Sequence, residues 1–201
     1  MNEKLLYNLS ANIAKKLLEI DAVKLRPEEP FQWASGILSP IYCDNRKTLS
    51  YPHIRNEIAQ AFAETAKDYM PFDTIAGVAT GGIAHGALVA DRLEMPFIYV
   101  RSGKKKYGTG QQVEGEFTSG QKCLVIEDLI STGKSSLEAV DALRSVGLVV
   151  EGVVSIFTYE FEEAVEAFKS KDCNYRSLSG YSALLKEAIE QGIIKKDELK
   201  S

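Results

Sequence analysis

Glu127 and Asp128 are adjacent acids that follow four apolar residues, Cys123-Leu124-Val125-Ile126, and precede the stretch Leu129-Ile130-Ser131-Thr132-Gly133-Lys134-Ser135-Ser136. The apolar run predicts a buried strand with the acids at its C-terminal end. Neighbouring side chains along a strand point to opposite faces, but at a frayed end both can reach one cleft. Carboxylates placed there accept hydrogen bonds from sugar hydroxyls and attract a magnesium-bound substrate. The turn Ser131–Ser135 leads into a predicted helix, whose unpaired first-turn N–H groups and dipole favour a phosphate. Acids for a pentose beside amides for a phosphate define a pocket for a phosphorylated sugar. Paired acids at a buried strand end are costly without such a partner, which sets the segment apart from an ordinary capped helix. A Walker-type nucleotide loop would need Gly five residues before Gly133. Asp128 stands there instead, which disfavours a nucleoside triphosphatase.

Two more segments could bind anions, and a third could read a base. Thr80-Gly81-Gly82-Ile83 follows another apolar run and opens a helix; its glycines allow the close backbone approach that a pyrophosphate needs. Taken alone it is also common turn chemistry, and His85 reads as a first-turn helix residue rather than a ligand. Arg101-Ser102-Gly103-Lys104-Lys105-Lys106-Tyr107-Gly108 gathers four cations in an acidic chain. A lysine run is commonly a solvated surface. After a strand end and at the head of the long glycine-rich stretch 103–120, it reads as an anion clamp. The segment 31–46, punctuated by Gly36 and Pro40, offers backbone donors and acceptors at fixed geometry, suited to the edge of a planar base; without its companions it would be a loop with an aromatic anchor.

The elements that must position these groups are legible in the pattern. Leu5, Leu9, Ile13 and Leu17, with Leu6 alongside, form one apolar stripe of an N-terminal helix. A loop-rich stretch carrying Pro27, Pro30, Gly36 and Pro40 follows, then a helix from about Tyr51 to Asp68 with Ser50 and Pro52 at its start. Continuous apolar runs at Thr74–Ala79, Phe97–Val100, Cys123–Ile126 and Val149–Thr158 suit parallel strands covered on both faces. Helices are predicted between and after them at Ile83–Leu93, Ser135–Val146, Glu162–Lys169 and Tyr181–Gln191. This alternation predicts a doubly wound α/β fold, a mainly parallel sheet flanked by helices, with ligands beyond the C-terminal strand ends.

Composition narrows the classes. At 201 residues, one domain with its own core is expected. A net charge of −4 argues against a general nucleic-acid binder. Cys43, Cys123 and Cys173 lack CxxC spacing, which fits a reducing cytoplasm rather than a disulfide framework or zinc site, and two histidines cannot build a multi-histidine metal centre. The amphipathic N-terminus and the lack of a long apolar run predict a protein that neither enters a membrane nor is exported.

The segment 123–136, four hydrophobics, two acids and a Ser/Thr-Gly loop, resembles the phosphoribosyl-pyrophosphate (PRPP) motif of type I phosphoribosyltransferases. Ser35-Gly36-Ile37-Leu38-Ser39-Pro40-Ile41-Tyr42, within Phe31–Arg46, resembles the hood segment of the orotate phosphoribosyltransferases. The likeness covers residues 20 to 160 most strongly. It implies a single phosphoribosyltransferase domain: a small hood at about 20–50, joined by some C-terminal residues, a core at 51–160 and C-terminal helices at 161–201. The implied reaction moves phosphoribose from PRPP to orotate with Mg²⁺, carried mainly by PRPP and touched only at one remove by Glu127 and Asp128. PRPP would meet Glu127, Asp128, Leu129, Ile130, Ser131, Thr132, Gly133, Lys134, Ser135, Thr80 and Gly81, together with Arg101, Ser102, Lys105 and Tyr107. Orotate would meet Ser131, Tyr42, Cys43 and Lys24. Lys105, Arg101 and Asp128 are the implied catalytic residues, and a flexible loop 101–113 would be shared across a homodimer. The chain departs from the pattern in four places: Glu127 replaces the first Asp, Tyr107 the usual loop His, Gly81 a Lys of some branches, and Tyr159 lies near an orotate-binding Arg of others. Two rivals stay open, a phosphoribosyltransferase for another base and a PRPP-sensing regulator; the latter would be expected to carry a DNA-binding extension or a basic face.

Overall fold

The computed structural model describes residues 3–26, 28–32, 38–103 and 112–196. The chain opens with α1 (Glu3–Glu19), then β1 (Val23–Leu25), β2 (Phe31–Gln32), β3 (Leu38–Ser39) and β4 (Ile41–Cys43). Strands β1 and β4 pair antiparallel, as do β2 and β3, giving two small ribbons where the sequence reads as loop. A 3₁₀ turn at Asn45–Ser50 leads into α2 (Pro52–Ala66), with Pro52 in the first turn, where its missing N–H costs nothing.

The central sheet is built from β5 (Thr74–Val78), α3 (Gly81–Leu93), β6 (Phe97–Val100), β7 (Val113–Glu114), β8 (Lys122–Ile130), α4 (Lys134–Ser145), β9 (Val149–Thr158), α5 (Glu162–Ser170) and β10 (Tyr175–Gly180), with α6 (Tyr181–Glu190) after it. Its strand order is β10-β9-β8-β5-β6-β7, parallel throughout except for antiparallel β7 at the edge. Alternate side chains feed two cores. Ile75, Leu124, Ile126, Val154 and Ile156 pack with α1, α2, α3 and α6. Ala76, Val78, Val125 and Val153 pack with α4 and α5 on the other face. The doubly wound arrangement is the expected one.

The chain winds from β5 toward β6 and from β8 toward β9 and β10, so adjacent β5 and β8 form the switch point of the sheet. A crevice opens there because successive helices leave on opposite faces. The loops after these two strands hold Thr80-Gly81 and Ser131-Thr132-Gly133. Among the described residues, no helix is long and apolar enough to cross a membrane.

One expectation is corrected. Strand β8 does not fray at Ile126 but runs on to Ile130, because the ten-residue β9 supplies partners: Glu127 pairs with Ser155, Leu129 with Phe157 and Ile130 with Thr158. Glu127 and Asp128 therefore sit inside a regular strand rather than at a frayed end, yet both still border one cavity, as expected.

Candidate active site

Different neighbours give the two acids different chemistry. Glu127 is 4% exposed. One carboxylate oxygen accepts from Ser136 Oγ at 3.2 Å, on α4, and the other from the Asp128 backbone N–H at 3.0 Å. Burial, and after it the neighbouring Asp128 charge, pushes its carboxyl well above the usual carboxylate range. Asp128 lies against the first residue of α3. A methyl group at Gly81 would lie 2.1 Å from Asp128 Oδ2, so any side chain there must displace the carboxylate. The bare Gly81 and the open Asp128 fit together.

Both acids border a cavity of about 610 Å³ at the switch point. Its floor is the turn Ser131-Thr132-Gly133-Lys134-Ser135, and Thr80 and Gly81 border it beside Asp128. Gly133 takes φ 80°, and a Cβ there would meet the Phe168 ring at 2.8 Å. Only glycine satisfies both demands. No described side chain caps α4, so its first-turn amides are available to an anion.

The hood side contributes Cys43, Asp44 and Arg46. Burial, with the charges of Asp128 and Asp44, drives the Cys43 thiol far up, so it is no thiolate nucleophile. Asn45, unremarked in the sequence, is 1% exposed and ties hood to sheet. Its amide donates to the Asp128 carbonyl at 2.7 Å, and its side-chain oxygen accepts from Cys43 Sγ at 3.2 Å. The Asn45 carbonyl accepts from Thr48 Oγ1 at 2.6 Å, and that hydroxyl lies 3.4 Å from His85 Nε2. His85 is thus a buried residue behind the site, its pKa pushed down to about 4 by desolvation.

The remaining expected residues divide. Leu129 borders the cavity, whereas the Ile130 side chain is fully buried in the core. Arg101 and Ser102 line a small adjoining pocket that shares Ala79, Ser135 and Glu138 with the main cavity, and Arg101 Nη1 lies 3.6 Å from Glu114 Oε1. Lys24 and Tyr42 face each other across β1 and β4, both exposed and outside the cavity lining. Tyr159 is buried in an aromatic stack with Phe157 and Phe161. Lys105 and Tyr107 lie outside the described residues. Asn45, Arg46 and Glu138 are what sequence reasoning missed. The first two stand within the hood segment 31–46 or at its end, but the bond that places them, from Asn45 to the Asp128 carbonyl, spans 83 residues.

A doubly wound sheet with an anion-ready turn and an open acid at its switch point defines a phosphoribosyltransferase-type site, and residues 48–178 match the family described as Phosphoribosyl transferase domain. The chain is 56% identical over 189 residues to the orotate phosphoribosyltransferase of Bacillus subtilis (strain 168), covering 94% of this chain and 88% of that protein. Its fold matches the orotate phosphoribosyltransferase of Aeropyrum pernix with a TM-score of 0.78 at 30% identity, over 90% of this chain and 99% of that one. It also matches the UMP synthase of Leishmania donovani with a TM-score of 0.78 at 28% identity, over 94% of this chain but only 40% of that one. The chain belongs to the orotate phosphoribosyltransferase family.

Proposed function

We propose that the chain transfers the 5-phosphoribosyl group of PRPP to orotate, giving orotidine 5′-phosphate and pyrophosphate in the cytoplasm. The observation that carries this reading is the meeting, in one cavity, of the uncapped α4 turn, the open carboxylate of Asp128 and the hood edge at Cys43–Arg46. The turn Ser131–Ser135 takes the 5′-phosphate. Asp128, with Glu127 beside it, takes the ribose hydroxyls. Thr80 and Gly81, with Arg101 and Ser102 at the adjoining pocket, take the pyrophosphate. Lys105 and Tyr107 join them from the segment 101–113, which serves the neighbouring subunit of a homodimer.

As the C1–O bond to pyrophosphate breaks, positive charge builds on the anomeric carbon and negative charge on the leaving group. Orotate N1, readily anionic, attacks from the opposite face and inverts the configuration. An anionic nucleophile needs no strong general base, in keeping with a buried, neutral His85 that stands behind the cavity rather than in it. The main task of the protein is to place cations and N–H donors where the leaving charge develops. Mg²⁺ fits this donor set: an ion carried mainly by substrate oxygens and water would meet the cavity acids Asp128 and Glu127 only at one remove. When bound, it neutralises charge on the departing pyrophosphate.

The test is the loss of orotate ultraviolet absorbance in the presence and absence of PRPP and Mg²⁺, beside a panel of other bases. Loss that requires both additions supports the reading. Consumption of another base with orotate untouched would reassign the acceptor, and indifference to PRPP would overturn the sugar site.

A further inference from the structure

Orotate differs from uracil by a carboxylate, and a cavity that selects the anion needs a cation to receive it. Among the described residues bordering the main cavity, only Arg46 and Lys134 carry positive charge. Lys134 is the first residue of α4, within the turn assigned to the phosphate. Arg46 stands on the hood side, two residues past Asp44 in the same turn.

Its guanidinium is held in place. Nε donates to Asp44 Oδ1 at 2.6 Å, and the same carboxylate oxygen accepts the Arg46 backbone N–H at 3.3 Å. One edge of the planar group is thereby fixed to its own turn. The side chain is still 59% exposed, and the described contacts of the guanidinium use Nε alone. Its two terminal nitrogens form a fork suited to a carboxylate, which a lysine ammonium could not match in geometry. The backbone of this turn is set in turn by Asn45, whose amide holds the Asp128 carbonyl. The fork is therefore fixed relative to the acid assigned to the ribose, and so to the carbon that the base must reach.

We infer that Arg46 recognises the carboxylate of the acceptor base and is the residue that makes the site select an acidic pyrimidine over a neutral one. This rests on the orotate reading above. It assigns specificity to a hood residue, with Asp44 as the group that positions it.

The experiment compares wild type, Arg46→Gln and Arg46→Lys in steady-state assays with orotate and with uracil, varying PRPP separately. Losing one charge-assisted pair should raise KM for orotate in Arg46→Gln by about 10- to 100-fold. KM for PRPP should change by less than about 2-fold, and the preference for orotate over uracil should shrink by the same factor as the orotate loss. Arg46→Lys should recover only part of it, since a point charge replaces the fork. An unaltered KM for PRPP also shows that the variant is folded. If Arg46→Gln keeps the orotate KM, or if KM for both substrates rises together, Arg46 does not read the carboxylate. If wild type consumes a neutral base and ignores orotate, the function reading itself has failed and this assignment with it.

Discussion

Lowering the pH should loosen this protein through one buried imidazole. His85 is fully buried, its Nδ1 has no partner among the described atoms, and its pKa sits near 4 against an ordinary 6.5. Below pH 6.5 the unfolded chain binds a proton at this residue that the folded chain refuses. Stability is therefore complete above 6.5 and drains away as the pH falls toward 4. Linkage puts the loss at about 2 kcal/mol between pH 7.5 and 5, and about 3 kcal/mol once the pH passes below 4. That is a large share of a typical total of about 5–15 kcal/mol. The comparison is urea unfolding of wild type and His85→Gln at pH 7.5 and 5.0. The variant should be weaker at pH 7.5, having lost packing against Phe62 and the approach to Thr48. The gap should then move about 2 kcal/mol in its favour at pH 5.0. Equal gaps at the two pH values would mean that His85 is not held neutral by burial, and the account of this residue would fall.

Three other outcomes follow from the same geometry. Glu127→Gln removes a carboxyl whose folded pKa is raised, so wild type is penalised as the pH climbs above the unfolded value; the variant should melt at a higher temperature than wild type at pH 8, with the gain fading toward pH 4.5, while calorimetry shows weaker PRPP binding. Gly133→Ala forces a side chain into φ 80° and against Phe168, and should cost about 2–4 kcal/mol in chemical denaturation together with a raised KM for PRPP. Lys105→Ala should lower kcat by about 10²–10³, the worth of one donor to a developing charge; near-normal turnover would remove Lys105 from the mechanism.

The sheet was legible because its central strands are covered on both faces and must be apolar without interruption. The runs at Thr74–Ala79 and Phe97–Val100 match β5 and β6 to within a residue. The hood ribbons were not legible: pairs of two or three residues carry no period, and their register comes from partners up to twenty residues away. Strand β10 was missed because Tyr175-Arg176-Ser177-Leu178-Ser179-Gly180 has no apolar run, being a sheet-edge strand with one neighbour. The end of β8 was misjudged for the opposite reason. Polarity at Glu127 reads as the end of a strand, and nothing local reveals that Ser136, nine residues on, will satisfy the carboxylate.

The same limit explains why the motif segments suffice to suggest a candidate site but not to build it. Thr80-Gly81 and Ser131–Gly133 stand some fifty residues apart and meet only because β5 and β8 are neighbours in the sheet. With another strand between them, the two segments would be separate turns. Once they are adjacent, the neighbours of each acid decide the rest. Of two chemically similar acids, the one facing α4 is buried and favours its proton, and the one facing α3 meets a glycine and stays open. Asn45, reaching across 83 residues to the Asp128 carbonyl, then fixes the hood over the open acid. Its amide makes a bond that no periodicity or spacing can announce, because its acceptor is a backbone atom that every residue possesses.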